Sequence, residues 1–165
     1  MTFTALVLLI VTATITALMA GFFFSYSISV SWGLAKLEDK EFLKAMQNIN
    51  REVQNPLFFA CFFGALIMLP VTTFQHYNQN QNSFALLLTA TLFYLIGVVG
   101  VSIVVNIPLN NKLELLDLPK ATDEAVKQMR NTFERRWNFW NNIRTVAALA
   151  SIIFVILACI FSKTK

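Results

Sequence analysis

Charged side chains are confined to two windows of this chain and its last residues, and that confinement dictates what it can fold into. No Asp, Glu, Lys or Arg precedes Lys36, none lies between Glu52 and Lys112, and none lies between Arg144 and Lys163. A helix needs about 20 apolar residues to cross a hydrocarbon core of about 30 Å. Only helices and closed barrels can cross there, because no water is available to the backbone N–H and C=O groups. The central run is too long for one crossing, and Gln75-His-Tyr-Asn-Gln-Asn-Gln-Asn-Ser83 splits it as a polar turn. Four spans result, near 3–30, 56–74, 84–105 and 143–162. The predicted fold class is all-α, an integral membrane four-helix bundle with helical cytoplasmic connections, and 1–165 form a single membrane domain. Charged residues make up only 13% of the chain, against roughly 25% in a soluble domain.

The first span has no Lys or Arg ahead of it and exceeds a signal peptide's apolar region, so it is expected to stay as a membrane helix. Cys61 and Cys159 fall in different spans without CxxC spacing, which argues against a disulfide framework, a zinc site or a thioredoxin-like pair. Orientation follows from Lys and Arg. The connections 31–55 and 106–142, with Arg144, hold eleven of the thirteen, leaving Lys163 and Lys165 for the other face. Those connections are therefore expected in the cytoplasm and both termini outside, with the cell membrane as location. All nine acidic residues share the cytoplasmic face. The net charge of +4 thus expresses topology and does not point to nucleic acid.

Span one carries small residues at every fourth position, Ala13, Ala17, Gly21, Ser25, Ser29 and Gly33, a stripe that allows close helix approach. Residues 34–54 read as an amphipathic helix, with Leu34, Leu37, Phe42, Leu43, Met46, Ile49 and Val53 at helical spacing. It is expected to lie on the membrane surface or cap the bundle, with Met46, Asn50 and Arg51 near the mouth of any pocket between spans. Pro70 is expected to kink span two. Thr122-Asp-Glu starts a helix over 122–141 that leads into span four, with a bend at Asn141-Asn142 as an option.

Two stretches carry polar groups that a plain apolar bundle does not need: Asn106-Ile-Pro-Leu-Asn110 and Trp137-Asn-Phe-Trp-Asn-Asn-Ile-Arg144. Positions 137, 140, 141 and 144 share one helical face, and Asn106 and Asn110 stand one turn apart with Pro108 between them. If that face turns inward, amides and a guanidinium converge where Arg144 can hold an anion or enolate-like oxygen. Aromatic rings there can wall a flat ligand. The competing reading makes Trp and Arg interfacial anchors and Asn-x-Pro a helix stop. His76, the sole histidine, is expected as a solvated turn residue on the opposite face.

Gly21-Phe-Phe-Phe-Ser-Tyr-Ser, Met46-Gln-Asn-Ile-Asn50-Arg, Asn106 to Asn110, and Trp137 to Arg144 with Thr145 resemble, in order and spacing, the anthrone oxygenase-like family of small four-helix membrane proteins. The resemblance implies oxidation of an anthrone to an anthraquinone by molecular oxygen, without metal or organic cofactor. It implies Arg144 and Asn110 as catalytic groups, with Asn106, Asn141 and Asn50 orienting a small apolar or aromatic ligand between Trp137 and Trp140. No convincing general base stands in these stretches; Glu52 and Glu134 are the nearest candidates. The alternative class is an interaction protein that packs through the small-residue stripe, with a homo-oligomer among its forms. A transporter is disfavoured because no span has a mid-membrane Asp, Glu, Lys or His.

Overall fold

Each apolar run forms one continuous helical path in the computed structural model, which describes residues 3–162. Span one comprises α1 (Phe3–Ser25), a π-helical turn at Tyr26–Val30 and α2 (Ser31–Leu34). The first connection holds α3 (Asp39–Glu52), and α4 (Pro56–His76) is span two. Span three runs through α5 (Gln81–Leu92), π-helical segments at Phe93–Gly100 and Ser102–Asn106, and α6 (Ile107–Glu114). The chain closes with α7 (Asp123–Phe161), which contains span four. All four paths are long and apolar enough to cross a membrane, and the chain is a multi-pass membrane protein. Lys163 and Lys165, used in the charge count, lie outside the described residues.

Local chemistry sets the helix starts. The Asn55 side chain accepts from Phe58 N at 2.9 Å with Pro56 following, a favoured opening. Asn80 accepts from Ser83 N at 3.0 Å, which opens span three after the expected turn. Thr122 caps α7 by accepting from Ala125 N at 3.3 Å. That helix runs unbroken through Asn141 and Asn142, so the optional bend does not interrupt it.

The spans form a ring in which α1 packs on α4 and α7, and α5 packs on α4 and α7. Its core joins Leu9, Leu69, Leu87, Val98 and Val155 with alanines at 65, 90, 148 and 158. Large apolar side chains such as Ile67, Ile96, Val104 and Ile153 point outward, as a bundle in lipid requires. Polar ties cross the core: Thr12 and Thr72 hydroxyls lie 2.7 Å apart, and Ser151 donates to Ala90 O at 2.9 Å. His76 is buried at the far end, 2% exposed, with Nδ1 2.9 Å from Thr72 O. The expectation of a solvated turn residue is corrected here: α4 extends through position 76 and turns the ring inward.

The connection helix α3 caps one end of the bundle. Phe42, Leu43 and Met46 are buried against Leu113, Val126 and Phe133. Gln47 Nε2 donates to the carbonyls of Leu113 (2.9 Å) and Leu116 (3.0 Å), and Arg51 pairs with Glu114 at 2.6 Å. Arg130 fastens the preceding loop by donating to the carbonyls of Leu37 and Ala35 and to Asp39 and Glu134.

Candidate functional site

A cavity of about 230 Å³ lies under α3, between α1, the start of α4, the end of span three and α7. Helix geometry brings the polar residues there. At about 100° per residue, positions 137, 141 and 144 fall within roughly 60° of one another, and Trp137, Asn141 and Arg144 all line the cavity. Trp140 sits at the edge of that arc, does not line the cavity and packs its ring against Phe139 at 5.4 Å. On span three, Ser102, Asn106 and Asn110 follow at four-residue intervals and all face the cavity. Ser102 and Asn106 belong to a π-helical turn in which Ile107 N bonds Ser102 O. Widened turns of this kind recur at functional sites, and here the widening precedes Pro108, whose ring crowds a regular α turn.

Arg144 is 8% exposed and, among the described residues, makes no ion pair. Its Nη2 donates to Asn141 Oδ1 at 3.0 Å and its Nη1 to Ser102 Oγ at 3.3 Å. The guanidinium stands over the Phe23 ring at 4.7 Å and the Trp137 ring at 5.4 Å. Its Nε has no hydrogen-bond partner. Asn141 is fixed in turn by donating to Phe23 O (3.3 Å) and Ser27 Oγ (3.2 Å). Trp137 Nε1 donates to Asn110 Oδ1 at 2.8 Å, and Asn106 Nδ2 donates to Trp137 O at 3.3 Å. Among the described residues that line the cavity, two further buried polar atoms are left without partners, Asn106 Oδ1 and Asn50 Nδ2.

Arg144 stands at the start of span four, where burying an unpaired charge still costs free energy, and each orphaned buried polar group costs about 1–3 kcal/mol. Such groups are the ones a ligand can satisfy. Here they comprise two donors, Arg144 Nε and Asn50 Nδ2, and one acceptor, Asn106 Oδ1. The opposing wall is aromatic. Phe22, Phe23 and Tyr26 come from span one, and Phe58 and Phe62, stacked at 5.7 Å, come from span two. Spacing within 106–144 gave no sign of this wall, although the Phe22–Phe24 run and the i, i+4 pairs Phe58/Phe62 and Phe59/Phe63 are its signature.

The cavity therefore brings together Arg144, Asn110, Asn106, Trp137, Asn141 and Asn50, and leaves out Trp140. Among the described residues, no Asp, Glu, His or Cys lines it. Glu52 lies in a neighbouring groove, Glu134 is bonded to Arg130 at 2.8 Å, and His76 is at the other end of the bundle. Among the described residues, no cluster of three or more His, Cys, Asp or Glu is placed to hold a metal. The chemistry on offer is stabilisation of an anion by a guanidinium and amides beside flat apolar walls.

A family model described as anthrone oxygenase matches residues 45–154, about two thirds of the chain. The match takes in α4, span three and the Trp137–Arg144 stretch, while the span-one motif beginning at Gly21 precedes it. Comparison with curated proteins and with solved structures gave no match.

Proposed function

The chain belongs to the anthrone oxygenase family, and from that membership and the cavity we propose that it binds a small enolisable aromatic molecule and oxidises it with molecular oxygen. The observation that carries the reading is Arg144: buried, without an ion pair, its Nε unpartnered beside two orphaned amide atoms of Asn50 and Asn106. A guanidinium held this way favours an oxyanion over its neutral acid. Loss of a ring C–H proton gives an enolate whose charge rests on oxygen at Arg144. With no carboxylate, imidazole or thiol among the described residues that line the cavity, water at its polar Gln54 and Asn111 edge takes that proton, and Arg144 supplies the driving force by holding the anion. The anion passes an electron to dioxygen, and the radical pair joins as a peroxide anion that takes the proton back from that water. The resulting hydroperoxide loses its remaining ring C–H proton and breaks its O–O bond, releasing water and leaving a new carbonyl. One oxygen atom enters the product and the other leaves as water. Asn110, held by Trp137, and Asn106 orient the ligand oxygens.

The Lys and Arg excess on the two connections supports placing the cavity at the cytoplasmic end. The test is oxygen uptake on addition of anthrone to proteoliposomes, with a chelator present and no cofactor added. We expect stoichiometric anthraquinone, and an Arg144→Ala rate lower by about 10²–10³-fold, the usual loss for an oxyanion-stabilising donor. An Arg144→Ala protein that is folded and oxidises anthrone at the wild-type rate refutes the reading.

A second reading rests on a separate observation: Ala17, Gly21, Ser25, Ser29 and Gly33 are exposed on the outer face of span one. A partner helix, in another copy or another protein, fits there. Gly21→Leu should then dissociate a cross-linkable oligomer; a wild-type protein that stays monomeric in bilayers removes this reading.

A further inference from the structure

The cavity has one side that no helix closes. Near the far end of the bundle α4 packs on α5, but toward α3 it barely reaches Phe93–Gly100 and makes no comparable packing against Ser102–Glu114. Spans two and three therefore part at the level of the cavity. The rim of that gap is Phe59 and Phe63 of α4 and Ile107 of α6, which line the cavity and yet are 39%, 49% and 46% exposed. Phe59 and Phe63 lie in span two and Ile107 two residues past the apolar run of span three, so the gap opens at the membrane boundary, with its apolar rim on the outer face of the bundle. Gln54 and Asn111 complete the rim with polar, exposed side chains on the edge nearest α3.

The other sides are shut. Above the cavity, α3 is tied to span three by the Arg51–Glu114 pair at 2.6 Å and by the Gln47 bonds to the Leu113 and Leu116 carbonyls. Toward the groove between α1 and α4, the Phe22 and Phe58 rings meet at 5.3 Å and separate it from the cavity.

Resting on the ligand site proposed above, we infer that the ligand is an amphiphile dissolved in the bilayer, with an acidic oxygen and a ring body, and that it enters sideways between spans two and three through the Phe59, Phe63 and Ile107 rim. The chemistry of the route matches such a molecule. An apolar ring body concentrates in the membrane and avoids water throughout the passage. Its oxygen meets amides at the rim and then the donors of Asn50 and Arg144 inside. The size agrees too. An apolar cavity of about 150 Å³ takes one benzene ring, so 230 Å³ takes one ring with substituents or two fused rings. A larger body or an alkyl tail extends through the gap into lipid.

A portal residue has a kinetic signature that a binding residue lacks: it changes entry and exit together. The probe is 1-naphthol, a two-ring phenol, followed by stopped-flow fluorescence in proteoliposomes. Ile107→Trp, which narrows the rim, should lower the association and dissociation rate constants together by about tenfold, within the one to three decades over which association rates vary among related complexes. Ile107→Ala should raise both, which guards against a Trp variant that fails to fold. Arg51→Ala, which unties the roof, should leave both at wild-type values. If Arg51→Ala speeds both steps while neither Ile107 variant changes them, the ligand enters from water and the lateral route is wrong. If instead Arg144→Ala binds the probe as tightly as wild type, the site itself has failed, whatever the route.

Discussion

Gly97→Ala should disturb the site from one turn away, and its effect can be worked from the contact it creates. Span three crosses α7 at Gly97, where an added Cβ would stand 2.4 Å from Ala147 Cβ. Comfortable carbon–carbon contact is about 3.5–4.0 Å, so the helices must part by about 1 Å. Ala147 cannot swing aside, because its Cβ is fixed to the backbone. Overpacking of this kind costs about 1–3 kcal/mol, and the better helix propensity of alanine offsets up to about 1 kcal/mol. The net loss should be about 1–2 kcal/mol. Parting the helices there also strains two contacts already at 3.3 Å, Asn106 Nδ2 to Trp137 O and Arg144 Nη1 to Ser102 Oγ. Losing one such bond, at about 1 kcal/mol, should weaken 1-naphthol binding by roughly fivefold to tenfold. Equilibrium unfolding in mixed detergent micelles and a fluorescence titration read the two effects. The exchange Gly97→Ala with Ala147→Gly removes the clash and balances propensity, so it should restore both, a strong coupling between neighbours. A single variant as stable and as tight-binding as wild type, or an exchange that rescues neither property, refutes the packing on which the site geometry depends.

Trp137→Phe keeps the ring wall but removes the 2.8 Å bond to Asn110 Oδ1. It should cost about 1 kcal/mol in unfolding and lower affinity for 1-naphthol, because Asn110 is no longer held. Arg130→Ala strips the donors from the Leu37 and Ala35 carbonyls and from Asp39. Its loss should be about 1.5–3 kcal/mol, the range for charge-assisted bonds. Hydrogen exchange should locate that loss in residues 35–52; exchange that stays at wild-type rates there contradicts the role of Arg130 as the tie between the first connection and α7.

The membrane character and the four spans were legible because lipid tolerates so few charges: the charge-free runs ending at Lys36, Lys112 and Lys163 outline the bundle. Helical spacing also foretold that Trp137, Asn141 and Arg144 share a face, and the structure turns that face toward Asn106 and Asn110. Trp140 marks the limit of spacing arguments. An edge position of a helical arc can serve a cavity or a neighbour, and only the packing around Phe139 decides. Ser102, the hydroxyl that accepts from Arg144, reads in the sequence as a helix-packing signal first and a cavity signal second, because serine in a membrane helix commonly bonds its own backbone; here it also donates to Val98 O at 2.7 Å. The π-helical turns at Tyr26–Val30 and Ser102–Asn106 have no compositional mark, yet they carry residues of the site. His76 escapes a reading of the sequence because its polar neighbours in the 75–83 segment suggest water, whereas α4 runs two residues into that segment and buries the ring.

The central claim is that Arg144 holds an oxyanion, and the ionisation of a bound phenol tests it most directly. Spectral titration of 1-naphthol bound in proteoliposomes should show its pKa below that of the probe in protein-free vesicles, since a buried cation favours the naphtholate. In Arg144→Met, which keeps the volume and removes the charge, the bound probe should ionise at or above the protein-free value. A wild-type protein that binds 1-naphthol without lowering its pKa, or an Arg144→Met protein that lowers it as much as wild type, contradicts the account.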